Sequence, residues 1–247
     1  MPRESANVRK TLESLQDATT APLRIHFPST VVRQPGISLT KAESAPTPTF
    51  SVAASALNNI VSLPNCDLSP TTSAASTTSS SIPASAPVLS AAAAATDPTL
   101  SESSSPISVP RFIVAALDLD PPYPSLPILG PLLHGLQADL TLATDQIDPD
   151  DDFIHLHQTT DSSEGIEDAD VVGYMGPAPP GFSSPHRYMF LLWEQPEGMT
   201  RDKIRDALGV DAEADNVGVL ARVRWDMESF EKKLGLGKAV AGNYFVC

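Results

Sequence analysis

The chain has 247 residues, 41% hydrophobic but 6% aromatic, and sets 16 Lys and Arg against 30 Asp and Glu for a formal net charge of −14. That balance excludes a sequence-independent hold on nucleic acid or anionic lipid, which needs clustered cations against phosphates. No apolar run approaches the roughly 20 residues of a spanning helix, and the opening MPRESANVRKTLESLQ lacks an apolar signal core, so a soluble, cytoplasmic protein without stable membrane insertion is expected.

In ANVRKTLESLQDA (6–18), Val8, Leu12 and Leu15 fall at i, i+4 and i+7, the single apolar stripe of a helix packed on a domain edge. LRIHFP (23–28) alternates, with Leu23, Ile25 and Phe27 on one face of a strand and Arg24 and His26 on the solvent face. Pro46 and Pro48 lead into a second extended segment, Thr49 to Val52. These parts, 1–57, are read as the N-terminal helix and first strands of one β-rich domain.

From 58 to 108 the composition turns to Ser, Thr, Ala and Pro, including TTSAASTTSSS and AAAAA. Such a stretch cannot bury enough apolar surface to offset its ordering entropy, so a disordered insertion is expected, with 109–247 the main part of the domain. Cys66 lies in this stretch and Cys247 at the last position; neither sits in a CxxC or near a His at ligand spacing, and both read as free thiols.

FIVAAL in PRFIVAALDLDPP (110–122) is a continuous apolar run of the kind that fills a strand covered on both faces, and it stops at Asp118 and Asp120. Two residues apart, these carboxylates would share a face on a continuing strand, but Pro121 and Pro122 force a turn. LLHGLQADLTLA (132–143) alternates imperfectly and reads as a strand with His134 near its start. The acidic 145–152 run lacks the glycine and terminal glutamate of an EF-hand and reads as a solvated loop. His155 and His157 share a strand face without a carboxylate or thiol partner, so no metal site is expected there, and no cofactor motif is present.

VGYMGPAPPGFSSPHRYMFLLWEQ (172–195) organises the rest. Pro179 and Pro180 fix φ and remove donors, while Gly176 and Gly181 permit angles closed to other residues, so a rigid concave bend feeds the core strand MFLLWEQ. His186, Arg187 and Tyr188 stand at the mouth of that strand, with Arg187 on the face opposite His186 and Tyr188 and expected to pair with Asp120. Thr200 caps a helix over TRDKIRDALGV (200–210), and a second helix over WDMESFEKKLGL (225–236) ends at Gly235. AVAGNYFVC closes the chain as a short strand.

DLDPPYPS…LLH, GYMGPAPPG…HRYMFLLWEQ and FEKKLGLGKAVAGNYF, in that order and spacing, resemble the phosphatidylethanolamine-binding protein family across most of 110–245. The resemblance implies a mainly β fold of two antiparallel sheets with peripheral helices. It also implies a small pocket for phosphate or a phosphorylated head group. The matching positions are Asp118, His134, the Ala178–Pro179 turn, His186 and Tyr188. Imidazolium and phenol donors suit an anion, and a nearby carboxylate can hold a histidine in its cationic form. The chain departs from the family pattern where DPDAP reads DLDPP, where Ala178 replaces a usual glycine and where Leu132 replaces a usual aromatic.

Three functions follow as expectations. The first is a non-enzymatic or regulatory protein binding a small anionic or phosphorylated ligand, with a protein partner at the rim. The second, implied by fungal relatives in secondary-metabolite pathways, promotes coupling of maleic-anhydride-type monomers, a carboxylate or anhydride substrate with His134 or His186 as general acid or base. The third is protease or kinase inhibition. No Ser-His-Asp order with a nucleophile elbow, no Cys-His pair and no P-loop is visible in the sequence, so it offers no assigned catalytic nucleophile.

Overall fold

A computed structural model describes residues 5–16, 18–58, 109–148, 152–158, 170–209 and 217–247, with backbone alone for 144–148. The elements described belong to one compact unit, Met1–Ser62 with Val109–Cys247. The expected insertion, Asn58 apart, lies outside the described residues, as does Cys66.

In chain order the elements are α1 (Ala6–Leu15), β1 (Leu23–Phe27), β2 (Thr30–Val32), β3 (Ile37–Ser38), β4 (Thr49–Ala53), α2 (Ala54–Leu57), β5 (Arg111–Asp118), β6 (Leu132–Asp148), β7 (Phe153–Gln158), β8 (Asp170–Val172), β9 (Arg187–Gln195), α3 (Arg201–Leu208), α4 (Val219–Arg222), α5 (Met227–Leu234) and β10 (Ala241–Val246). The fold is mainly β with helices at the periphery, as expected. The strands form one hydrogen-bonded path, β2-β1-β4-β7-β6-β5-β9-β10-β3, with β8 on β6, and all pairings are antiparallel except β3 with β10. The path folds back on itself, because β10 near one end meets β1 near the other: Asn243 Nδ2 donates to the Leu23 and Val32 carbonyls at 2.8 and 3.0 Å, and Phe27 packs edge-on against Phe245. Its two halves thus face each other across a core.

The doubly covered strand is β5. Phe112, Val114 and Ala116 join the core between the halves, with Phe50, Phe190 and Phe245. Ile113, Ala115 and Leu117 face the other way, into a second core closed by Val8 of α1, Ile204 of α3, and Met227, Phe230 and Leu234 of α5. Period-2 alternation explains the split, and burial on both faces explains the unbroken apolar run.

The helices follow local signals. Ser5 caps α1 by accepting from the Val8 amide, Thr200 caps α3, and Asp226 caps α5 by accepting from the Ser229 amide at 2.9 Å. Gly209 and Gly235 end α3 and α5 in the left-handed conformation, φ 69° and 63°. Because Asp226 is the cap, Trp225 stands outside α5, and its amide donates to the Pro131 carbonyl instead. The first helix stops at Leu15, short of the expected Ala18.

Two further readings are corrected. Arg24 is buried, its guanidinium 3.6 Å from the centre of the Phe153 ring, and His26 is half-buried with Nε2 2.8 Å from Ser51 Oγ and its ring 5.0 Å from that of His155. The outer face of β1 is therefore covered by β4 and β7 side chains rather than by solvent. The acidic run is not a loop throughout, since the backbone to Asp148 continues β6 and pairs with β7.

Candidate functional site

The site sits where β5, β6 and β9 end together. Asp118 is the last residue of β5 and is paired on one side with Leu132 and on the other with Tyr188, which in turn pairs with Phe245. Directly opposed residues share a face, so Leu132, Asp118, Tyr188 and Phe245 form one row facing the core between the two halves. Tyr188 and Phe245 stack at 5.4 Å.

His134 reaches this face through a bulge. Leu117 pairs with Leu133 and Ala116 with Gly135, leaving His134 as the extra residue. A bulge re-aims one side chain and restores the alternation beyond it, and here it turns the imidazole edge-on to Tyr188 at 5.2 Å. Gly135 follows because a Cβ there would lie 3.1 Å from the Tyr174 Cα. The imperfect alternation of LLHGLQADLTLA was the trace of this bulge in the sequence, and Asp139, at φ 56°, marks a second irregularity in the same strand.

Four of the expected site residues therefore come together, all buried: Asp118, His134, His186 and Tyr188. Asp118 Oδ2 is 2.8 Å from His186 Nδ1, and Asp118 Oδ1 accepts from the Asp120 amide at 2.9 Å. The His186 ring stacks on Tyr188 at 6.4 Å. The turn after Asp118 separates the two aspartates, and Asp120 instead holds Arg187 with Nε and Nη2 at 2.9 and 2.7 Å, the expected pairing in a bidentate form. Of the turn residues, Ala178 is exposed with its backbone against the Tyr188 hydroxyl, and Pro179 is buried with its carbonyl accepting from Lys41 Nζ at 2.7 Å. Leu132 is half-buried.

The Gly/Pro bend is braced from two sides. Gly176 presses on Ala45, where a Cβ would come within 2.9 Å of the Ala45 Cα, and Tyr174 Oη donates to the Ser44 carbonyl at 3.0 Å. From the other side the buried Arg222 donates to the carbonyls of Gly173, Val217 and His134 at 2.9, 3.0 and 3.3 Å. Neither Arg222 nor the 40–45 segment carried a sequence signal for this role, since each acts through backbone carbonyls that only the fold brings near.

Burial lowers the pKa of His134 below its ordinary value; the hydrogen bond to the Met175 carbonyl and the Asp118 charge oppose this, and the Arg222 and His186 charges add to it. His134 is thus a neutral imidazole at pH 7, and the histidine that the Asp118 carboxylate bonds is His186. Burial, then the Asp118 charge, pushes the Tyr188 phenol well above its ordinary range, so it stays a proton donor. Two buried polar atoms here make no well-formed hydrogen bond among the described residues, His134 Nε2 and Tyr188 Oη; the phenol lies close to Asp118 and to the Ala178 backbone without a well-formed bond to either.

One participant was missed. Ser183 Oγ lies 3.0 Å from His186 Nε2, so Ser183, His186 and Asp118 form a continuous hydrogen-bonded chain. Its only sequence mark was a serine three residues before His186 in a turn. Among the described residues no three His, Cys, Asp or Glu side chains converge as metal ligands, and His157 Nε2 lies 3.2 Å from Thr141 Oγ1.

Comparison with known proteins gives the chain its relatives. Two relatives are each 32% identical: the carboxypeptidase Y inhibitor of Saccharomyces cerevisiae over 142 residues, 54% of this chain and 58% of that protein, and the phomoidride biosynthesis cluster protein N of Talaromyces stipitatus over 140 residues, 55% and 58%. The chain thus spans 58% of the length of the curated relatives it matches. The solved carboxypeptidase Y inhibitor in complex with its cognate proteinase shares the fold at TM-score 0.52 and 18% identity, covering 96% of this chain and 90% of that one. The Plasmodium vivax phosphatidylethanolamine-binding protein does so at 0.50 and 13%, covering 96% and 93%. With a family model for phosphatidylethanolamine-binding proteins matching residues 72–245, the chain belongs to that family.

Proposed function

We propose that Asp118, His134, His186 and Tyr188 line an anion-binding pocket for a small phosphorylated or carboxylate ligand, and that the protein acts through this binding, alone or with a protein partner at the rim. The observation that carries the reading is the pair of buried, unpartnered polar atoms on adjoining rings, His134 Nε2 and Tyr188 Oη. A buried polar group without a partner costs about 1–3 kcal/mol, and a single oxyacid group meeting both would offset it. The phenol donates to an anionic oxygen, and the imidazole accepts from the acid hydroxyl or takes up its proton. Titration with inorganic phosphate and with phosphoethanolamine, followed through the imidazole NMR signals of His134 and His186, tests the pocket. Perturbation of both supports it, and no response at millimolar ligand overturns it.

A second reading has its own support. The relative named for a phomoidride biosynthesis cluster, together with Leu132 directly across from Asp118, favours a less polar carboxylate or anhydride substrate coupled at this site, with the two histidines moving protons. Product formation from maleic-anhydride-type monomers that survives substitution of both His134 and His186 would exclude it.

A further inference from the structure

We infer that Ser183 is a nucleophile activated by His186, giving the protein an acyl-transfer activity toward small activated carboxylic esters. This goes beyond ligand binding at the same site and does not rest on it.

The geometry is that of a serine, a histidine and a carboxylate in relay. Asp118 is buried and receives His186 Nδ1–H at 2.8 Å, the contact that selects, of the two neutral tautomers, the one whose Nε2 is the acceptor. Nε2 is 3.0 Å from Ser183 Oγ. Burial is graded along the chain: His186 and Asp118 are enclosed, while Ser183 is half-buried between the exposed Phe182 and Ser184, so of the three Ser183 is the residue that reaches toward solvent. The Ser183 hydroxyl has one proton and two acceptors within reach, Nε2 and the Ser184 carbonyl at 2.9 Å. With Nδ1–H given to Asp118, donation to Nε2 is the arrangement ready for attack.

Further support comes from how the imidazole is fixed. His186 exchanges backbone hydrogen bonds with Cys247, N to O at 2.8 Å and O to N at 3.0 Å, and its ring lies against Tyr188. The Tyr188 hydroxyl, buried without a well-formed hydrogen bond, is carried on the ring stacked against His186, and in this proposal it is the donor to the developing oxyanion.

The reaction balances with water as the second reactant. Ser183 Oγ bonds to the ester carbonyl carbon as its proton passes to His186 Nε2. The bond to the leaving alcohol breaks, and Nε2 returns the proton to that oxygen. Water then adds to the acyl carbon, giving its proton to Nε2; the bond from the acyl carbon to Oγ breaks, and Oγ recovers a proton. Ester and water become acid and alcohol.

The test uses the full chain with p-nitrophenyl acetate, reading p-nitrophenolate release together with intact mass and peptide mapping. The expected result is either an acetyl group trapped on Ser183 or steady p-nitrophenolate release, in both cases abolished in Ser183→Ala and slowed about 100-fold in His186→Gln. Ser183→Cys, which keeps the relay, accepts the acetyl group as a thioester at position 183. A downfield Nδ1 proton resonance of His186, present in the native chain and lost in Asp118→Asn, separates the positioning role of Asp118 from a merely structural one. Acetylation confined to lysines or Cys247, release unchanged in Ser183→Ala, or no reaction above the buffer rate would each overturn the inference. A positive phosphate titration alongside any of these leaves the anion pocket standing on its own.

Discussion

His134 and Met175 hold each other twice: the Met175 amide donates to the His134 carbonyl at 2.7 Å, and the His134 ring bonds back to the Met175 carbonyl through Nδ1. A carbonyl can only accept, so Nδ1 carries the proton and the neutral ring presents Nε2 as a bare acceptor toward Tyr188. Since burial keeps His134 uncharged at pH 7, a fully ionised phosphate can pair with Nε2 only if a proton is taken up on binding. Binding in the pocket should therefore strengthen as pH falls from 8 toward 6, by up to about tenfold per pH unit where one proton is coupled. Calorimetry in buffers of different ionisation enthalpy measures that proton count directly. Affinity independent of pH over this range would place the ligand away from His134.

Gly176 is where the bend leans on the 40–45 segment. Gly176→Ala puts a methyl 2.9 Å from the Ala45 Cα and 3.2 Å from its carbonyl oxygen, both backbone atoms that cannot swing aside. The bend must lift, carrying Met175 off the His134 ring. The expected outcome is a loss of phosphate affinity out of proportion to a stability cost of about 1–3 kcal/mol, compared by titration and urea denaturation. Gly181→Ala, with open space around its Cβ position, is the matched control.

Asn243 joins the two ends of the sheet path. Its fully buried amide donates to carbonyls of both β1 and β2, so Asn243→Leu leaves two acceptors facing an apolar side chain. A loss of about 2–4 kcal/mol is expected in urea denaturation, from the desolvation of two unpaired carbonyls. A change below about 0.5 kcal/mol would mean that the closure is held by the Phe27 and Phe245 contact instead.

His26 gives the fold a weakness to acid. Burial first, then the charges of His155, Arg24 and Arg33, lower its pKa from 6.5 to about 4. A folded-state pKa below the unfolded one means that the unfolded chain binds the proton more readily. The associated stability is fully present above about pH 6.5 and is lost as pH falls toward about 4. His26→Asn, which keeps a polar partner for Ser51, should flatten the pH dependence of the denaturation midpoint in that window relative to the native chain. Parallel curves would assign the acid sensitivity to His134, whose shift has the same direction.

Much of the fold was legible because it rests on periodicity. FIVAAL announced burial on both faces, and the Thr200 cap and Gly235 terminus appeared where local chemistry put them. What escaped needed three dimensions. Arg24 sits opposite the apolar face of an alternating strand, which reads as solvent until β7 supplies Phe153 to cover it. At the site, the Asp118, His134, His186 and Tyr188 set came from a resemblance rather than from spacing, and the fold brings those side chains together. The bulge that aims His134 was present only as a defect in alternation, and the Ser183 contact only as a short separation in a turn. Arg222 works through three carbonyls, so no side-chain pairing advertised it.

β5 carries a last consequence. Its amides, enclosed on both faces and bonded to strands on both sides, should be among the slowest in the molecule to exchange with deuterium, whereas those of 176–185 should exchange early. Asp118, rooted in the slow strand, then serves as a stationary reference for the proposed pocket. In the proposed pocket, accommodation of differently sized ligands falls to the bend that carries Ser183, so ligand range should be tuned by the length and stiffness of one loop while the carboxylate stays where the core puts it.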